Sequence, residues 1–252
     1  MINNLKKIIK TIFLPEFIGY YNDFVKVNSS NSYSDDKLVK VYLKKHFLKH
    51  VFNYNYHFSY NYDFHPGLKA IANYIHQNKK KIKILDLGGG YGTVYRFLKC
   101  KKFNISKNFI VTLFETDKMI KVIKKNIKKS KIKIQMKLIS KLKKSKFDII
   151  YLGSSLQYFE DYKKILNYLS NYSDNIIMDD IPMSNKNTFA CLQVNFVPFK
   201  IPAWVFSRYE LINYFKLKKY KIVYEHINSR VVAHKNGPDK MIRKNFSIYL
   251  KK

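Results

Sequence analysis

The stretch Ile84–Thr93, ILDLGGGYGT, decides how this chain folds. It continues an apolar run, Lys81–Leu87 (KIKILDL), that carries Asp86 and breaks into a glycine cluster. A short apolar run ended by turn residues reads as a buried strand. Gly88, Gly90 and Gly92 then stand at alternating positions. Glycine permits tight backbone turns and lets a ligand approach the chain closely. A dinucleotide site would place a glycine three residues after the second one. Thr93 stands there, and the third glycine comes one residue early, at Gly92. No Gly-Lys-Ser/Thr follows, which excludes a P-loop. Thr93–Lys99 is helix-like, so the loop joins a strand to a helix.

Strands and helices alternate onward from this stretch. Strands are predicted at 81–87, 109–114, 131–138, 147–152, 175–178, 221–227 and 246–250. Helices are predicted at 93–99, 118–129, 161–169 and 211–217. The helix 118–129 carries Ile120, Ile123 and Ile127 on one face and lysines on the other, the pattern of a solvated surface helix. The alternation implies an α/β, doubly wound, mostly parallel sheet of seven strands covered on both faces. Ligands of such sheets bind beyond the carboxyl ends of the strands. Two further motifs stand at such ends. Glu115 closes FIVTLFE, where a carboxylate can accept hydrogen bonds from both ribose hydroxyls of an adenosine cofactor. The run Phe147–Tyr158, FDIIYLGSSLQY, ends in small residues followed by Gln157 and Tyr158.

Residues 1–80 differ in character and read as a helical N-terminal cap, with 81–252 as the ligand-binding domain. The cap is crowded with aromatics and holds few strand-like runs. Ser34 or Asp35 can cap a helix reaching about His50, and Leu68–Gln77 reads as another helix after the turn His65-Pro66-Gly67. At the start, Leu5, Ile8, Ile9, Ile12 and Phe13 fall at helical spacing between lysines. Such a basic amphipathic helix can lie on an anionic bilayer or dock on its own protein. Lys10 and Pro15 interrupt any signal peptide. No apolar run is long enough for a transmembrane helix.

An acid two residues before G-x-G-x-G resembles motif I of the class I S-adenosylmethionine (SAM) methyltransferases. The likeness implies that fold, with SAM as cofactor, and a loop of Asp86, Gly88, Gly90 and Gly92 against the amino acid part of SAM. It gives Glu115 the ribose, and sets Ser154 and Gln157 at the place of motif IV, facing cofactor or substrate. Five stretches resemble more particularly a bacterial family of SAM-dependent methyltransferases associated with surface-polysaccharide gene clusters. They are Phe17–Tyr21 (FIGYY), the glycine loop, Gly153–Tyr162 (GSSLQYFEDY), Cys191–Val194 (CLQV) and Pro202–Leu211 (PAWVFSRYEL). The chain departs from that family at Asp179-Asp180, where the family tends to have Asp-Arg, and lacks a tryptophan after the FIGYY-like part.

Methyl transfer is an in-line displacement that draws much of its rate from proximity and orientation. An alcohol acceptor also benefits from a general base. Asp179 and Asp180, beyond the fifth strand, with one of the two expected to point inward, and Tyr158, beside the transfer channel, are the near candidates for catalysis. His226 and His234 are more distant candidates; Asp179 and Tyr158 are preferred. Gln193, Trp204 and Arg208 are expected to shape the acceptor pocket, with Trp204 placed to stack on a sugar ring. No metal is expected.

Charge is the other pronounced feature of the chain. It holds 252 residues, with 48 Lys+Arg against 17 Asp+Glu, for a net charge of +31. At 46% hydrophobic residues it is not a disordered chain. Cys100 and Cys191 are too few for a disulfide framework or an all-cysteine zinc site, and a reducing cytoplasmic location is expected. Only Arg96, Arg208, Arg230 and Arg243 are arginines, the residue suited to bidentate phosphate and guanine contacts. The abundance of Lys, Asn, Ile, Tyr and Phe is what A/T-rich codons supply. A small-molecule or glycan acceptor is therefore expected rather than nucleic acid. Two alternatives stay open: an RNA or DNA methyltransferase on the same cofactor fold, and a non-catalytic SAM-binding scaffold.

Overall fold

The computed structural model describes residues 15–27, 35, 37–39, 65–99, 108–130, 135–195, 198–238 and 242–252. Ten strands appear among these residues: β1 (Phe17–Tyr21), β2 (Ile82–Leu87), β3 (Phe109–Phe114), β4 (Met136–Ile139), β5 (Ile149–Gly153), β6 (Asn175–Ser184), β7 (Phe189–Gln193), β8 (Ile201–Ser207), β9 (Lys221–Lys235) and β10 (Ile242–Lys251). The helices are α1 (Pro66–Gln77), α2 (Thr93–Lys99), α3 (Asp117–Ser130), α4 (Tyr162–Tyr172) and α5 (Arg208–Leu217), with a 3-10 turn at Leu156–Tyr158.

The central sheet runs β4-β3-β2-β5-β6-β10-β9. Its strands are parallel except β10, which is antiparallel to both neighbours. All seven predicted strands are present, and the sheet is larger than expected. β1, β7 and β8 join it: β8 pairs with the far end of β6 at Ser184–Ser207, β7 with β8, and β1 with both β7 and the far end of β9. The pairings β6–β8–β7–β1–β9–β10–β6 therefore close a ring beyond the tips of the central strands. Phe17–Tyr21, assigned by composition to a helical cap, is one strand of that ring. Asp35 does cap a helical turn, since its Oδ1 accepts from the N–H groups of Lys37 and Leu38. The predicted helix at the start of the chain and most of the one expected after Asp35 lie outside the described residues.

Two apolar layers flank the sheet. On one face Ile82, Ile84, Ile149, Tyr151, Ile177 and Tyr249 pack against α1 and α2. On the other, Leu85, Leu87, Ile150, Leu152, Ile176 and Met178 pack against α4 and α5. Alternate residues of each strand serve alternate layers, as the pleat requires. Local signals fix the helix starts. Asp161 accepts from the Lys164 N–H at the start of α4, and Ser207 from the Glu210 N–H at the start of α5. On α3, Met119, Ile120 and Ile123 are buried, while Lys118, Lys121, Lys124, Lys125 and Lys128 are exposed.

The register breaks at one place on β6. Phe246 pairs with Ile181 but Ile248 pairs with Met178, so Asp179 and Asp180 together oppose Ser247. This is a β-bulge, with Asp180 in the left-handed region at φ 54°. The extra residue reverses the facing of the strand. Before it, the even positions Ile176 and Met178 enter the α4/α5 layer; after it, the odd positions Ile181 and Met183 do.

Asp179 points to the α1 face, where its carboxylate accepts from the Gly67 N–H at 3.0 and 3.2 Å. α1 has no side-chain cap of its own, so Asp179 serves its N-terminus from across the fold. The approach is close: a Cβ on Gly67 would lie 2.2 Å from Ile177 Cγ2 and 2.7 Å from Asp179 Oδ2. Gly67→Ala is expected to lower stability by about 2 kcal/mol through overpacking, read as a shift of the urea unfolding midpoint with an unchanged slope.

Candidate functional site

The glycine loop closes over Asp86. This fully buried carboxylate lies on the α1/α2 face of β2. Its Oδ2 accepts from the Val94 N–H at 3.2 Å, at the start of α2, while Oδ1 is enclosed with no hydrogen-bond partner. Burial pushes the carboxyl up to about 7. Gly88, Gly90 and Gly92 have φ of 69°, 58° and 75°, the left-handed backbone that glycine adopts without steric cost. Gly89 has another reason to be glycine: a Cβ there would lie 2.1 Å from Asp86 Cγ.

Glu115 comes to this loop from the tip of β3. Its Oε1 accepts from the Gly90 N–H at 2.8 Å and its Oε2 from the Thr116 N–H at 3.1 Å. Burial pushes this carboxyl up to about 7 as well, against the opposing pull of those two N–H groups. The turn after β5 is tied to the same loop: the Ser155 hydroxyl donates to the Leu87 carbonyl at 2.6 Å. A Cβ on Gly88 would lie 2.6 Å from Ser155 Cβ. Two residues on, Gln157 is buried with its Oε1 unpartnered. The structure thus brings Asp86, the three glycines, Glu115 and the Ser154–Gln157 turn together.

The expected acceptor residues divide. The Tyr158 hydroxyl donates to Gln193 Oε1 at 2.7 Å, and Tyr158 packs against Phe17, Phe189, Cys191, Ala203, Val205 and Val232 inside the strand ring. Trp204 lies on the opposite face of β8. It stacks on Phe24 with ring centroids 5.3 Å apart, and its indole N–H donates to the carbonyls of Phe159 and Glu160. It lines a surface cleft of about 530 Å³ with Tyr162, Asp23, Asp161 and Glu210. Arg208 joins neither group, since its guanidinium forms a bidentate pair with Glu225 on β9.

Asp179 does not join the site either. It is fully buried, held by Gly67 from one side and by the Tyr151 hydroxyl from another, and burial pushes it up to about 7. Its neighbour Asp180 is the acid that meets the turn after β5. Asp180 Oδ2 accepts from the Ser154 hydroxyl at 2.7 Å, and Oδ1 accepts from Asn228 Nδ2 at 3.0 Å and Asn245 Nδ2 at 2.8 Å. The pair of acids at the strand tip was visible in the sequence, but which one faced the site depended on the bulge. Asn228, Asn245 and Ser247 were not singled out, because nothing local marks a polar residue on a strand as a partner of β6. Among the described residues no group of three or more His, Cys, Asp or Glu is placed to hold a metal ion.

No protein-family profile matches the chain, and no curated protein matches it in sequence. Solved structures do. The chain is similar to the magnesium protoporphyrin IX methyltransferase (ChlM) from Synechocystis PCC 6803 with bound SAM, at TM-score 0.50 and 10% identity over 74% of this chain and 79% of that one. It is also similar to a SAM-dependent methyltransferase from Clostridium acetobutylicum, at TM-score 0.46 and 16% identity over 73% and 89%. A third is the 1,6-didemethyltoxoflavin-N1-methyltransferase from Burkholderia thailandensis, at 0.47 and 10% over 75% and 78%. The chain has a methyltransferase-like α/β fold with a mostly parallel sheet.

The loop geometry orders its glycines by cost. Gly89→Ala meets a short, fully buried carboxylate that has no room to retreat. Gly92→Ala meets Met136 Sδ at 2.7 Å, and a thioether chain can shift. Gly89→Ala is expected to lose more stability in denaturant titration, although only Gly92→Ala carries the left-handed penalty of about 1–2 kcal/mol.

Proposed function

We propose that the protein is a SAM-dependent methyltransferase acting on a hydroxyl group of a sugar or other small acceptor in surface-glycan assembly. One observation carries the cofactor part. Two buried acceptor atoms, Asp86 Oδ1 and Gln157 Oε1, lack donors beside a loop of three left-handed glycines. Unpaired buried acceptors are costly, and a ligand bearing an ammonium group and ribose hydroxyls brings the donors they lack. In this reading Asp86, Gly88, Gly90, Gly92 and Gln157 hold the amino acid part, Ser154 begins the turn that carries Gln157, and Glu115 takes the ribose hydroxyls in place of the Gly90 N–H. SAM supplies an electrophilic methyl group on a sulfonium centre. The chain's own task is to orient the partners and exclude water.

On the acceptor side, the Tyr158–Gln193 pair offers a hydroxyl and an amide, the groups that orient a sugar hydroxyl. Asp179 is not given the role of base, because its carboxylate caps α1. Trp204 and its cleft lie across β8 from Tyr158 and are assigned no part in transfer. The acceptor class rests on the sequence resemblance. A nucleic-acid acceptor is the second reading, favoured by one observation: no acid occurs between Asp117 and Asp148, a lysine-rich stretch that includes α3 and β4 at the sheet edge. We further propose a cytoplasmic protein whose N-terminal segment touches the membrane. No helix among the described residues is long and apolar enough to cross one.

Isothermal titration with S-adenosylhomocysteine (SAH) tests the cofactor. Asp86→Asn and Glu115→Gln are each expected to weaken binding at least about 10-fold. Radiolabelled methyl transfer from SAM onto cell-extract fractions tests the acceptor. Label in glycan supports the reading, label in RNA supports the alternative, and SAH binding without any transfer marks a scaffold.

The raised carboxyls add a pH dependence. Ligand donors favour the ionised acids, so binding should release protons and SAH affinity should rise between about pH 6 and pH 8. Stability of the free protein should move the other way. With the folded values above the unfolded ones, the unfolded chain binds fewer protons, and stability falls as pH rises from about 4 to about 7. Glu115→Gln should flatten both slopes. A pH-independent SAH affinity in the wild type would count against the assignment.

A further inference from the structure

Two of the residues other than glycine that hold left-handed backbone, one after β5 and one in β6, are bonded to each other. Ser154, after β5, has φ 55°; Asp180, in the bulge of β6, has φ 54°. Their side chains meet at 2.7 Å, the Ser154 hydroxyl donating to Asp180 Oδ2. The Ser154 N–H also donates to the Asp179 carbonyl at 2.9 Å. Backbone of this kind is unfavourable for a residue with a Cβ and persists where its surroundings fix it.

The anchor of this contact is built from a second irregularity. β10 pairs Lys244 with Val231 but Phe246 with Ile227, so β9 carries extra residues opposite Asn245. There Asn228 turns its amide to Asp180 Oδ1 and accepts from the Ser247 hydroxyl through its own oxygen, and Asn245 donates to Asp180 Oδ1 as well. The Asp180 N–H donates to Ser247 Oγ. A carboxylate only accepts, so both amides must present nitrogen to it. Two bulged strands therefore converge on one buried acid, which spends one oxygen on the sheet and offers the other to Ser154.

We propose that Asp180 is a positioning residue for the cofactor site. It holds Ser154 in its left-handed conformation and so sets the turn Ser154–Gln157, whose Ser155 is bonded to the glycine loop and whose Gln157 faces the cofactor. This inference rests on the SAM reading given above. It assigns Asp180 a role through the backbone of Ser154, with no contact of its own to the ligand. The partly buried Ser154 hydroxyl is an anchor in this scheme, and its value to binding lies in the φ angle it secures.

SAH titration of Ser154 variants separates the possibilities. Ser154→Ala keeps the Cβ and loses the anchor, and is expected to weaken SAH binding by about 10-fold. Ser154→Gly also loses the anchor, but its backbone adopts φ 55° unaided, so its affinity should stay within about 3-fold of the wild type. Asp180→Asn should weaken binding in the wild-type background and have no further effect in Ser154→Gly. Equal losses in the alanine and glycine variants would mean that the hydroxyl itself touches the ligand, and would overturn the proposal. Unchanged binding in Ser154→Ala would overturn it too, as would an Asp180→Asn effect that persists in Ser154→Gly. Should Asp180→Asn unfold, the alanine–glycine contrast at Ser154 decides alone. Absence of SAH binding by the wild type is a distinct result, which removes the cofactor reading and this inference with it.

Discussion

One extra residue in β6 governs much of this molecule. A strand alternates its side chains between two faces, so adjacent acids should point to opposite sides of the sheet. The bulge at Asp179–Asp180 keeps Asp179 on the α1 face and turns Asp180 toward the tip of β5. It also reverses the facing of everything after it, so that Ile181 and Met183 continue the layer that Ile176 and Met178 began. β6 can then run on past the central sheet to pair with β8. The capped helix, the anchored turn and the ring of six strands share this origin. Replacing the bulge by regular pairing would put Ile181 and Met183 into the ring interior and their polar neighbours into the core.

The same contrast between faces explains the electrostatics. A chain of net charge +31 keeps its decisive acids indoors. Asp86 and Asp179 are fully buried on one face of the sheet, and Glu115 sits against the glycine loop. Burial drives each toward its neutral form, and their protein partners are backbone N–H groups and hydroxyls rather than lysines. The cations are spent elsewhere: lysines line the exposed face of α3, and Lys80 pairs with Asp148 at the foot of the sheet. A salt titration therefore reads the surface and the pH titration reads the site, because exposed charges are screened by ions and buried ones much less so.

Local chemistry made most of the central sheet legible. The strand before the glycine loop, the helix after it and all six later strands of the seven announced themselves through short apolar runs and amphipathic helices. The glycine-loop side of the candidate site was equally readable, because Asp86 lies within such a run and the glycines and Glu115 follow one. β1, β7 and β8 were not seen. Phe189–Gln193 and Ile201–Ser207 are nearly all buried, so they show no alternation, and Pro202 within β8 argues against a strand. β1 is five residues with Gly19 in left-handed backbone, and its pairing partners lie some two hundred positions away. Nothing within such segments states that they will pair.

That blind spot also explains why the acceptor residues scattered. Gln193, Trp204 and Arg208 stand in two stretches, Cys191–Val194 and Pro202–Leu211, and were expected to meet at one pocket. On paired strands, closeness in sequence decides little and parity decides much. β7 and β8 pair with Gln193 opposite Ile201 and Ala190 opposite Trp204. Gln193 therefore shares its face with Cys191 and Phe189, inside the ring with Tyr158. Trp204 shares its face with Phe206 and joins the α4/α5 layer. Arg208 begins a helix and reaches sideways to Glu225. The face that meets Tyr158 is therefore lined from β7 and from the odd-numbered positions of β8, with the tryptophan on the other side.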